Sequence, residues 1–303
     1  MNTRSNALPE SAVDSQKIAP AVMSAARPLY WSVRRELWEN RSIYIAPLAV
    51  AAVTLFGYLI LSIGYAMSTT NLAQRRAALE EPYGFATALI MGTAFVVSIF
   101  YSLEALHSER RDRSILFWKS LPVSDLTTVL SKASIPLIVL PLLAFAIVVA
   151  TVLIMLLLTT LVLMGSGVGV ATIWKPELYQ TALMLLYHLI TVHILWYAPF
   201  YGWLLLVSAW ARRATFLWAA LPPVAICAVE KIAFKTTHFA AMLQNRLGGG
   251  AEAVTAPGTL PMDPMTHLTP GNFLGSPGLW IGLVIAAGFL AAAARLRRYQ
   301  GPI

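Results

Sequence analysis

The sequence predicts an all-α membrane protein, with six transmembrane helices preceded by an N-terminal helix lying in the membrane interface. Three observations carry this. Hydrophobic residues make up 58% of the 303-residue chain and charged ones only 12%, against roughly 25% charged in soluble domains. Six apolar segments each meet the length of about 20 residues needed to cross a bilayer's hydrocarbon. Lys and Arg residues concentrate in alternate connections between these segments.

Residues 1–26 are Ser/Ala-rich and weakly charged, which reads as a disordered N-terminus. They hold no apolar run of the signal-peptide kind, so the first span is expected to direct insertion. Over 28–42 the pattern turns helical. Pro28 suits a first helical position, and Leu29, Tyr30, Val33 and Leu37 fall on one stripe. Trp31 and Trp38 flank that stripe, with Arg34, Arg35, Glu36, Glu39 and Arg41 around the rest. Such a helix suits the membrane interface, with tryptophans at headgroup depth and arginines reaching the aqueous side; a frayed extension of the first span is the plainer alternative.

The membrane domain, 43–298, then carries spans at about 43–67, 84–107, 135–164, 178–210, 215–234 and 279–296. The second is rich in small and hydroxyl residues. The third and fourth exceed the length a crossing needs, which predicts tilt or protrusion. Pro199 and Gly202 interrupt the fourth, and the Pro222-Pro223 pair is expected to kink the fifth by releasing backbone hydrogen bonds. Ser276 and Pro277 form a plausible cap and first position for the sixth. Outer loops are expected at 68–83, around 165–177 and from about 235 to 277, the last with a helix over 236–247 ended by Gly248.

Orientation follows from the basic residues. One set of connections (the N-terminal region, the 108–133 loop, Arg212-Arg213 and Arg295, Arg297 and Arg298) holds 16 of the 22 Lys and Arg. The positive-inside rule makes that side cytoplasmic and places both termini there. The chain is expected in the bacterial cytoplasmic membrane. The formal charge of +8 does not imply nucleic acid, since no basic run reaches the density such binding needs.

Soluble catalytic machinery is not legible. There is no GxxxxGK[ST] loop, no HExxH and no GxSxG. Gly165, Gly167 and Gly169 follow no strand and do not form a dinucleotide fingerprint. His188 and His193 are five apart, off the face a helical zinc pair uses, and Cys227 is the single cysteine. Ionisable residues in or near the spans are few, chiefly Glu104 and the Glu230-Lys231 pair. These are functional candidates because such groups are expensive in hydrocarbon, or hydrated groups close to the interfaces. Ser98, Tyr101, Ser102 and Glu104 would make a polar strip along one passage.

The stretch from Glu109 to Lys132 stands apart. Arg110, Arg111, Arg113 and Lys119 bracket Ile115, Leu116, Phe117 and Trp118, and Leu121-Pro122 closes the segment before Ser124-Asp125, a helix start. Leaving four large apolar side chains in water costs roughly 1.5–3 kcal/mol each relative to burial. Either lipid headgroups or a partner protein must cover them. This stretch, Glu109-Arg110-Arg111-Asp112-Arg113-Ser114-Ile115-Leu116 followed by Leu121-Pro122-Val123-Ser124, resembles the loop between the second and third spans of type-2 ABC transporter permeases. The motif covers about 25 residues, and the six-span topology extends the likeness over 28–300. The run Ile-Leu-Phe-Trp-Lys departs from the Leu-rich sequence of many members.

The resemblance implies a cytoplasmic coupling helix in this loop that docks in a cleft of a separate ABC ATPase subunit. Ile115, Leu116, Phe117 and Trp118 would be its apolar anchors, Arg110, Arg111, Arg113 and Lys119 its rim, and Leu121-Pro122 with the Ser124 cap a rigid joint into the third span. It implies a second permease copy, as homodimer or heterodimer, with a substrate passage at the seam. Ser98, Tyr101, Ser102, Glu104, Pro222, Pro223 and Glu230 are the passage candidates. No cofactor or metal is expected on this chain, which would not itself be an enzyme; ATP and Mg would bind the partner ATPase. Direction by resemblance is export. The competing classes are an ion-coupled secondary transporter, which should show an inverted repeat, and an intramembrane enzyme, whose nearest constellation is Glu230 with His238.

Overall fold

A computed structural model of the protein describes residues 26–68, 72–120, 123–164, 177–248 and 270–303. Residues 1–25 of the expected disordered N-terminus, the glycine cluster at 165–169, Leu121, Pro122 and residues 249–269 of the long connection before the last helix lie outside them. Every regular element among the described residues is helical. In chain order these are α1 (Ala26–Glu39), α2 (Ser42–Gly57), α3 (Ile63–Ser68), α4 (Leu72–Glu104), α5 (His107–Arg111), α6 (Ile115–Ser120), α7 (Asp125–Ser134), α8 (Leu140–Met164), α9 (Glu177–His188), α10 (Ala198–Trp210), α11 (Thr215–Val229), α12 (His238–Leu247), α13 (Pro270–Gly275) and α14 (Pro277–Tyr299). Short π-wound turns join α2 to α3, α7 to α8 and α9 to α10, and one extends α11.

Five helical stretches are long and apolar enough to cross a membrane: Ser42–Leu61, Glu81–Arg111, Asp125–Leu161, Thr215–Phe234 and Pro277–Tyr299. A sixth results if Ala182–Trp196 and Ala198–Trp210, bent by 46°, form one crossing. The bend falls at Tyr197, two residues ahead of Pro199, whose ring has no N–H to offer the preceding turn. This is a multi-pass membrane helical protein by length and composition.

In the fold, the structure departs from the sequence reading at one place. The expected outer loop at 68–83 is helix from Leu72 onward, because Leu72–Glu81 is almost entirely strong helix formers. At 33 residues, α4 is roughly 50 Å long, well beyond the ~30 Å hydrocarbon. The Pro222-Pro223 pair stays within one continuous helix, α11. Pro223 leaves the carbonyl of Ala219 without its helical partner, and the Trp203 indole of α10 donates to that oxygen at 3.1 Å.

The centre of the bundle is α10, packed along α14 and against α4. Tyr201, Leu205 and Val207 are fully buried. Gly202 permits the close approach, since a Cβ there would stand 3.4 Å from the Ala286 carbonyl and the Phe289 Cβ. On the other flank α2, α4 and α8 pack around Ile90, Val148 and Ala51. By contrast α11 buries only Thr215 and Ala219. At the end of the bundle away from the 107–120 segment, α12 closes over α14. Arg246 stacks on the Trp196 ring at 4.3 Å and donates to the Gly278 carbonyl at 3.0 Å.

Candidate functional site

The chemistry-bearing residues collect at the bundle end formed by α1, α5, α6, α7 and the last turns of α14. The chain breaks after α4 because Ser208 of α10 takes over the first backbone donors beyond the break: its Oγ accepts from the N–H of Leu106 at 2.9 Å and of His107 at 3.0 Å. His107 Nδ1 lies 3.2 Å from the Ala211 carbonyl. Short α5 is thereby fixed against the end of α10, which turns Glu109 inward.

Glu109 meets a buried ion network. Lys132 Nζ lies 2.8 Å from Glu36 Oε1 and 3.1 Å from Glu109 Oε1. Arg297 Nη1 pairs with Glu109 Oε2, and its Nε reaches Asp125 Oδ1 at 3.1 Å. Arg35 Nη2 joins Glu36 at 2.9 Å, and Tyr101 donates to Glu36 Oε2 at 2.8 Å. Three carboxylates thus face three cations drawn from α1, α5, α7 and α14, and Glu39 joins at the edge through Arg35 Nε at 3.4 Å. Glu36 and Lys132 are 1% and 3% exposed in their side chains, so each depends on the others for the solvation that water would give. Burial alone would raise the Glu36 carboxyl, but the charge and hydrogen bond of Lys132, helped by Arg35 and Tyr101, hold it below the ordinary carboxylate value.

On the outer side of this network stands α6. Ile115 is buried at 1% exposure, whereas Leu116 and Phe117 are 59% and 60% exposed. Trp118 lies under Arg35, whose guanidinium sits 3.6 Å from the ring centroid. Lys119 Nζ donates to the carbonyls of Arg298 at 3.3 Å and Gln300 at 3.0 Å. The step Leu116-Phe117 is therefore presented to the outside by a helix tied on both flanks. Ser124 caps α7, accepting from the Thr127 N–H at 3.0 Å.

The residues singled out by sequence divide accordingly. Arg110, expected at an outer rim, is buried and donates to the Ala209 carbonyl at 2.6 Å and the Gly301 carbonyl at 3.3 Å. Ile115, expected as a docking anchor, is packed inside the chain. Arg111 is exposed and pairs with Glu104 at 3.5 Å; Arg113 is exposed and takes a left-handed conformation, φ 58°, after α5. Ser98 and Ser102 are buried within α4, with Ser102 Oγ donating to the Ser98 carbonyl at 2.7 Å. Tyr101 is taken up by Glu36. Ser98, Tyr101 and Ser102 thus sit in the packed interior, while Glu104 faces out at its basic end. Pro222 and Pro223 are half-buried in α11. Glu230 caps α12 and the turn before it, accepting from Thr236 Oγ1 at 2.9 Å, the His238 N–H at 2.7 Å and the Phe239 N–H at 2.9 Å. Among the described residues there is no cluster of His, Cys, Asp and Glu suited to a metal.

Sequence reasoning missed Glu36, Lys132, Asp125 and Arg297 as a unit. A signal was present for two of them. Glu36 is three residues past Val33, on the apolar stripe of α1, and Lys132 is three past Val129 on the buried face of α7. A charge inside an apolar stripe requires a buried partner.

Comparison with protein-family models, with curated proteins and with solved structures finds no match to this chain.

Proposed function

We propose that this chain is the membrane-spanning permease subunit of an ATP-binding cassette exporter of the type-2 kind, driven by a separate cytoplasmic ATPase. In this reading α9 and α10 form one bent crossing, making six. Helix α1 lies at the cytoplasmic interface, both termini are cytoplasmic, and α6 is the coupling helix. The observation that supports it most is the exposed Leu116-Phe117 step on a helix held by Ile115, the Arg35–Trp118 stack and the Lys119 bonds to the tail. A loop that merely connects two spans has no need of such anchorage, and exposed aromatics at a rigid point are usual docking residues. Force on α6 would pass through Glu109 into α1, α7 and α14 together, because one carboxylate joins them.

The rim of the docking surface is Arg111, Arg113 and Lys119, with Arg110 serving the chain's own fold. Two copies would enclose the passage. Co-purification from a host carrying the native genomic neighbours tests the reading. Wild type should retain an ATPase that Phe117→Asp loses, with both forms equally abundant in the membrane. Equal retention by the variant would move the coupling site off α6, and no ATPase with either form would remove the permease reading.

A further inference from the structure

Where α10 gives way to α11, the basic end of the bundle carries a cavity of about 700 Å³. Arg110 and Arg212 line it, together with Trp210, Trp218 and residues 300–303, and no acidic side chain does. Arg110 spends its bonds to Ala209 and Gly301 on one side, so most of the five guanidinium N–H donors remain. Arg212 is exposed and forms no ion pair among the described residues. Two like charges thus share one recess with no acidic side chain among its lining residues, which is an arrangement an anion would stabilise.

The walls narrow the anion further. Trp210 and Trp218 meet edge to face with centroids 4.9 Å apart, and both are close to half exposed. They stand at the ends of two apolar helices, the depth at which tryptophans border headgroups. Below Trp218 the same face of α11 continues through exposed Leu221 and Ala225. A soluble phosphate would use only the arginines. A glycerophospholipid would use the arginines for its phosphodiester, the tryptophans for its glycerol region and α11 for an acyl chain. A zwitterionic headgroup would bring a third cation beside the two guanidiniums.

We propose that this cavity seats the phosphodiester headgroup of an anionic glycerophospholipid, held by Arg110 and Arg212 between Trp210 and Trp218. Basic recesses between membrane helices suit such headgroups. The site is independent of the permease reading. Its test uses the full chain purified in mild detergent and in nanodiscs of phosphatidylcholine, with or without phosphatidylglycerol. Native mass spectrometry should find phosphatidylglycerol retained on wild type and reduced at least about fivefold in Arg212→Gln. Phosphatidylglycerol should raise the thermal midpoint of wild type and of Arg213→Gln, whose side chain lies outside the cavity, but not that of Arg212→Gln. Equal losses in both variants would mean diffuse surface charge and overturn the site. Equal retention of phosphatidylcholine would do the same, and an equal midpoint shift from inorganic phosphate alone would assign the recess to a soluble anion.

Discussion

What surrounds Glu36 has a pH consequence. Glu36 sees Lys132, Arg35 and Tyr101 at hydrogen-bonding range and lies almost wholly out of water. Its carboxyl is held below the ordinary value of 4.5. A group whose folded value is depressed contributes stability above its unfolded value, and that contribution is lost as pH falls through the folded one. The thermal midpoint of the detergent-solubilised chain, followed by tryptophan fluorescence, is therefore expected to drop on acidification below about pH 4.5. Glu36→Gln keeps the shape and leaves Lys132 paired with Glu109. It should lower the midpoint at neutral pH, since it removes one charge from a buried set, and should flatten the acid slope. An unchanged slope in Glu36→Gln would mean the acid sensitivity arises elsewhere.

At the scale of elements, the glycines separate close contact from open surface. A side chain at Gly202 meets the backbone of α14, whereas one at Gly288 meets nothing within 4 Å. Gly202→Leu is expected to cost about 1–3 kcal/mol through forced separation of α10 and α14. Gly288→Leu should stay within about 0.5 kcal/mol. Denaturation midpoints of the two variants side by side decide it, and equal losses would contradict the packing described. The same elements show what the sequence made legible. Apolar length marked the membrane helices, and Ser124 was readable as a cap because its role is local. The continuation of α4 back to Leu72 was not legible as a span because 72–81 is polar, although it is built of strong helix formers. The ion network was missed for a different reason. Its members lie up to 262 positions apart, from Arg35 to Arg297, and only the folded bundle brings them together. Arg110 and Ile115 were assigned to an outer surface because a run of charged and apolar residues does not disclose which of them turns inward.

For the whole molecule, the least satisfied surface is α11. Its sequence is apolar throughout, yet only Thr215 and Ala219 are buried, while Phe216, Leu217, Val224 and Val229 all exceed half exposure. Lipid can cover such a face at no cost, so apolarity alone does not require a partner. The geometry at its two ends adds something else. At the start, Ala214 takes a left-handed conformation, φ 51°, and sets the direction in which α11 leaves α10. At the far end, Glu230 ties it to α12. A helix fixed at both ends and mostly exposed between them is placed to meet a second copy of this chain, as the dimeric assembly proposed above would require. Val224→Cys, made with Cys227→Ser to remove the native thiol, should give a cross-linked dimer on mild oxidation in native membranes. Ile138→Cys, exposed on the π-wound turn joining α7 to α8, should not. Cross-linking at both positions would indicate random collision in the membrane. Its absence at both, and at Leu217→Cys two turns nearer the start of α11, would leave α11 facing lipid and remove the homodimer through this helix.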